Sequence, residues 1–108
     1  MTNKQHLASL KAARLYLDMR GYRILEQNWS QSKNKIDLIA IKNTIEFIAI
    51  NYLPDNYNDP EITTAELSLK LKQATLIWLE ENKYIKDYRT SLIEVYGHNY
   101  TILSFNQV

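Results

Sequence analysis

The stretch that decides the fold is Asn34-Lys35-Ile36-Asp37-Leu38-Ile39-Ala40-Ile41, then Lys42-Asn43-Thr44, then Ile45-Glu46-Phe47-Ile48-Ala49-Ile50-Asn51-Tyr52-Leu53. Lys35 to Ile41 and Ile45 to Leu53 read as strands. The short connection between them predicts an antiparallel hairpin. Side chains alternate along a strand, so residues 49 and 51 share a face, and so do Lys35 and Asp37. Asp37 then faces residue 49 across neighbouring strands, and Glu46 takes the opposite face.

Working outward, Leu7, Leu10, Ala13, Arg14 and Leu17 recur at helical spacing, and Lys4 to Met19 lacks Gly and Pro. Gly21 is placed to end that helix in the left-handed conformation. Tyr22 to Trp29 reads as a strand, and Ser30 to Asn34 as a turn. After Leu53, Pro54 to Pro60 is a loop by its turn chemistry. A long helix starts near Thr63 or Thr64, where Thr63 and Glu66 have capping-box spacing. Leu67, Leu71, Ala74 and Trp78 form its stripe, widened by Leu76, Ile77 and Leu79. Asn82 to Asp87 ends it. Arg89 to Tyr96 and Tyr100 to Phe105 are strands around a Gly97-His98-Asn99 turn. The order αβββαββ predicts an α/β (α+β) domain spanning residues 1–108, with helices covering a mixed sheet of about five strands.

The chain has 108 residues, enough for one core, and 45% are hydrophobic, an ordinary globular composition. No apolar run reaches the roughly 18 residues of a membrane span. The opening Met-Thr-Asn-Lys-Gln-His has no signal-peptide core, and no cysteine is present. These features predict a cytoplasmic protein with no membrane association. A net charge of +1 does not announce a nucleic-acid binder, but the basic residues are uneven. Arg14, Arg20, Arg23, Lys33, Lys35 and Lys42 gather in the first half, and a solvated surface is the plainer reading of each.

Two segments carry a resemblance. Ala13-Arg14-Leu15-Tyr16-Leu17, then Gly21-Tyr22, then the run to Asn28-Trp29, resembles the opening of the YraN-like family of small bacterial proteins. Ile36-Asp37-Leu38-Ile39-Ala40 is similar to that family's Gly-Glu-Ile-Asp-Leu-Ile signature. The family is similar to Holliday-junction resolvases and restriction endonucleases. The resemblance therefore implies a restriction-endonuclease-like fold and an ancestral divalent-metal phosphodiesterase site. On that pattern one strand offers Asp and the next offers Glu-x-Lys. Here Asp37 is kept. The Glu and Lys places hold Ala49 and Asn51, the glutamate before the signature Asp falls at Lys35, and the first-helix glutamate falls at Leu10.

Those departures matter chemically. Hydrolysis of a phosphodiester needs an activated water and stabilisation of charge on phosphate, which Mg²⁺ supplies from a carboxylate-rich oxygen site. Ala49 has no ligating atom, and Asn51 has no charge. Lys35 shares a face with Asp37, so its ammonium is expected to fill part of the former metal space; the alternative is a weak, exposed pair worth roughly 0–1 kcal/mol. No metal or other cofactor is expected. A residual nuclease would need Mg²⁺ or Mn²⁺ on Asp37 with Glu61 or Glu66 displaced toward it.

Other chemistries lack support. His6 and His98 have no zinc-like spacing to an acid, and they read as solvated. Gly21 and Gly97 alone make no phosphate loop. Tyr16, Tyr22, Trp29 and Trp78 read as core residues, whereas Tyr52 and Tyr57 flank the old catalytic edge as stacking or contact candidates. The expected role is non-catalytic DNA binding through the six basic residues. The alternatives are a protein-interaction module or homodimer using a free edge near Tyr88 to Phe105, and a residual endonuclease.

Overall fold

The computed structural model describes residues 1–55 and 64–108. Its elements run α1 (Asn3–Met19), β1 (Arg23–Gln31), β2 (Asn34–Lys42), β3 (Thr44–Leu53), α2 (Thr64–Glu81), β4 (Tyr88–Tyr96) and β5 (Thr101–Gln107). One five-stranded sheet holds the strands in the order β1-β2-β3-β4-β5. All neighbours are antiparallel except β3 and β4, whose parallel pairing follows the crossover that contains α2. This is the expected α+β arrangement of a mixed sheet with two helices.

The helices cover opposite faces. Leu10, Ala13 and Leu17 of α1 pack on Leu38, Ala40, Ile48, Ile50, Ile93 and Val95. Leu71 and Ala74 of α2 pack on Ile36, Ile39, Ile45, Phe47, Ala49 and Leu92. The middle strands are thus covered on both sides, which is why β2 and β3 are nearly continuous apolar runs. The outer strands β1 and β5 are largely exposed.

Two apolar stripes lie differently from the expectation. Leu7 is 59% exposed and Leu76 is 60% exposed, and Arg14 also faces outward. The inward line of α1 is His6, Leu10, Ala13 and Leu17, with Ser9 beside it. Steps of three or four residues return to one side of a helix, and Leu7 falls off that line. The α1 start carries a capping box between Thr2 and Gln5 that the sequence reading did not single out. Its end is a Schellman motif: Tyr22 N–H donates to Leu17 O at 3.0 Å and Gly21 N–H to Asp18 O at 3.1 Å, with Gly21 at φ +89°. The Thr63 cap lies outside the described residues.

Candidate functional site

The site is made by a fork in the sheet. The β2–β3 ladder runs from Lys42 and Thr44 to Leu38 and Ile48. Beyond it, β2 continues toward Asn34 paired with β1, while Ala49 to Leu53 of β3 pair with β4. Asp37 stands where the strands part. Its Oδ2 accepts the backbone N–H of Ile50 at 2.7 Å. The carboxylate therefore satisfies a backbone donor that a strand partner would otherwise serve.

The other carboxylate oxygen faces α1. His6 Nε2 lies 4.0 Å from Asp37 Oδ1, and the two side chains are 25% and 20% exposed. The same His6 nitrogen is 2.8 Å from Asn28 Oδ1. Neighbouring pairs in the β1–β2 register, Gln27 with Leu38 and Trp29 with Ile36, place Asn28 opposite Asp37. Asn28 is held at φ +54°, a left-handed conformation within a strand. Asn tolerates that region better than most residues, and such conformers cluster at functional sites. Burial pushes the Asp37 carboxyl above the ordinary carboxylate range; the Ile50 N–H, His6 and Lys35 oppose that rise.

The fork opens into a cleft of about 1140 Å³. Lys33, Lys35 and Lys70 line it, together with Trp29, Tyr52 and the amides of Asn28, Asn34, Asn51 and Gln73. Ala49 and Asn51 lie on its β3 wall, so positions 37, 49 and 51 line one cleft. Leu10 does not reach the cleft, being buried against the α1 face of the sheet. With one carboxylate, one apolar methyl and one amide, these three positions do not offer the carboxylate-rich oxygen set that Mg²⁺ takes.

Several site expectations change. Lys35 is exposed and lines the same cleft as Asp37, and its charge is the weakest of the three influences opposing the Asp37 rise. A long, flexible ammonium gains more from water than from a half-buried acid. His6 stands beside the carboxylate, and at 25% exposure it is not simply solvated. The signal for it was its place four residues before Leu10 on the buried line of α1. Glu66 is exposed in the first turn of α2 and is not among the residues lining the cleft; Glu61 lies outside the described residues. Among the described residues, no three His, Cys, Asp or Glu side chains cluster.

The six basic residues divide. Lys33 and Lys35 border the cleft, joined by Lys70 of α2. Arg20, Arg23 and Lys42 gather at the other end of α1 and β2, where Lys42 Nζ donates to Arg20 O at 2.6 Å and the Arg20 guanidinium lies 4.3 Å from the Tyr16 ring centre. Arg14 is exposed midway along α1. Tyr16, Tyr22, Trp29 and Trp78 are half-buried and pack on the core, as expected, although Trp29 also borders the cleft. Tyr52 donates its hydroxyl to Gly97 O at 3.1 Å and packs on Tyr100; Tyr57 lies outside the described residues. His98 is not simply solvated, because its Nδ1 lies 2.6 Å from Asp55 Oδ2. Glu46 sits on the opposite face, as its parity required, bound by Tyr22 Oη at 3.1 Å and Ser91 Oγ at 2.5 Å. No helix among the described residues is long and apolar enough to cross a membrane.

The sequence matches a family and its members. A relative from Caldanaerobacter subterraneus subsp. tengcongensis is 33% identical over 101 residues, covering 87% of this chain and 82% of the relative. One from Vibrio campbellii is 32% identical over 90 residues, covering 78% and 74%. One from Cytophaga hutchinsonii is 29% identical over 94 residues, covering 84% and 83%. All three are named as proteins of one family, whose model matches residues 11–95 of this chain. The chain belongs to the uncharacterised protein family UPF0102, the YraN family.

Proposed function

We propose that this domain binds DNA without cutting it, through the forked cleft. The observation that carries this reading is the meeting of three lysines and two aromatic rings, Lys33, Lys35, Lys70, Trp29 and Tyr52, on one concave surface. Lysines neutralise phosphates and release counterions, and aromatic rings stack on unpaired bases. The cleft amides add donors that position a sugar-phosphate backbone without reading sequence. The non-catalytic part rests on Ala49 and Asn51, which leave Asp37 without a second carboxylate or a nearby catalytic ammonium.

Fluorescence anisotropy with branched and linear DNA tests it. Affinity should fall as salt rises, with a logarithmic slope of roughly 2 to 3 if three phosphates are neutralised. Replacing Lys33, Lys35 and Lys70 by Glu should abolish binding, while Arg20→Glu with Lys42→Glu should change it little. Absence of binding at low salt would overturn the reading. Metal-dependent nicking that disappears in Asp37→Ala would overturn its non-catalytic part.

A homodimer is the second reading. β5 ends the sheet, and exposed Leu15 and Met19 of α1 lie with Tyr100 and Ile102 around a shallow apolar hollow beside it. Light scattering on the purified chain decides it: a mass of one chain across the micromolar range removes the dimer.

A further inference from the structure

The fork holds a second arrangement that shares only Asp37 with the positions implied by the family resemblance. Three donor atoms converge there from three elements: His6 Nε2 from α1, Asn28 Oδ1 from β1 and Asp37 Oδ1 from β2. The nitrogen is 2.8 Å from the amide oxygen and 4.0 Å from the carboxylate oxygen. One ion with bonds of about 2.0–2.2 Å spans both separations. We propose that these three atoms form a site for a single late first-row divalent ion of the Co²⁺, Ni²⁺ and Zn²⁺ class.

The donor chemistry selects that class. An imidazole nitrogen with oxygen ligands suits borderline ions, whereas Mg²⁺ prefers carboxylates and water. Asp37 is divided in use: Oδ2 is taken by the Ile50 N–H, which orients the group, and Oδ1 is left toward His6. Orientation of a ligand by a hydrogen bond on its far atom is the usual support of a metal site. Asn28, at φ +54° within its strand, presents its Oδ1 to the same α1 histidine. The remaining coordination positions open to the cleft, where water or a phosphate oxygen completes the shell. One anionic ligand makes the site weak, and it supplies no reaction by itself.

A hydrogen-bonded imidazolium, acting as the cation in place of a metal, predicts the opposite result in the same experiment. Co²⁺ is titrated into the full ¹⁵N-labelled chain, without DNA, and amide signals are followed. The site predicts saturable paramagnetic shifts centred on residues 6, 28 and 37, reversed by Zn²⁺ and at least about tenfold less readily by Mg²⁺. Loss of an outer partner commonly weakens metal binding about 10–100-fold, and loss of a direct ligand should cost no less. His6→Ala should therefore lose binding. Asn28→Gly keeps a residue at ease with positive φ and removes only the oxygen, so it should fold normally and bind more weakly. Asp55 with His98, an exposed pair 2.6 Å apart, is the internal control. No saturable shift, shifts centred on His98, or unchanged affinity in Asn28→Gly would each overturn the site. The outcome is independent of DNA binding, which Lys33, Lys35 and Lys70 test separately.

Discussion

Two acids on the central hairpin have opposite fates. Glu46 lies at the closed end of the β2–β3 ladder, 5% exposed, with both carboxylate oxygens taken by hydroxyls of Tyr22 and Ser91. Asp37 lies at the forked end, with one oxygen on a backbone N–H and the other facing His6 and the cleft. The first acid is enclosed by its neighbours and ties the α1–β1 turn, through Tyr22, to β3 and β4. The second stands where pairing has stopped, so its unshared oxygen remains open to a ligand. In this sheet, chemistry is available where the ladder ends.

The largest test of that contrast is Glu46→Ala. It leaves two hydroxyls unpaired and a void in a packed region, and should cost about 2–4 kcal/mol in urea unfolding. Next is Asp37→Ala, where the freed Ile50 N–H borders the cleft and can reach water. A loss of about 1–2 kcal/mol is expected in the same measurement. Equal costs for the two would mean that Asp37 is structural in the same sense as Glu46.

The helix ends offer a smaller comparison. Both close with the same hydrogen-bond pattern, but the left-handed residue is Gly21 after α1 and Lys83, at φ +51°, after α2. Lys83→Gly should therefore raise stability by about 0.5–1 kcal/mol, seen as a higher urea midpoint at unchanged slope. Gly21→Ala should lower it.

The smallest effect concerns pH. His98 holds the Asp55 carboxyl below its ordinary value of 3.8, mainly by the ring hydrogen bond. A depressed acid stabilises the fold above its unfolded value and loses that contribution as pH falls below it. Thermal melts between pH 5 and pH 2.5 should show a slightly shallower acid loss in His98→Ala. Because Asp55 is exposed, raising the salt concentration should shrink the difference.

Much of the fold was readable because its signals are local. Gly21 marks a cap by its freedom at positive φ, Lys42-Asn43-Thr44 marks a hairpin by its shortness, and Ile-rich β2 and β3 mark strands covered on both faces. The errors are also local in origin. Leu7 and Leu76 are apolar and near their stripes, but a helix has more apolar positions than buried ones, and only packing shows which side turns inward. Alternation does bring Lys35 and Asp37 to one cleft, but it says nothing about where a long side chain ends.

The site was legible only as far as one strand or one hairpin reaches. Asp37, Ala49 and Asn51 could be placed together because alternation and a short turn bring them there. His6, Asn28 and Asp37 come from a helix and two strands, and no spacing in the chain relates them. Their meeting depends on the angle at which α1 crosses the sheet and on the point where β2 leaves β3. The basic residues divide for the same reason: Arg20 and Lys35 are neighbours in composition but lie toward opposite ends of β2. The amino-acid order by itself determined the elements, their succession and the residue types at positions 37, 49 and 51, because propensity, period and residue chemistry act over a few positions. The tertiary structure alone decided which side chains share the cleft, because contacts across 20 or more residues arise only when the layers pack.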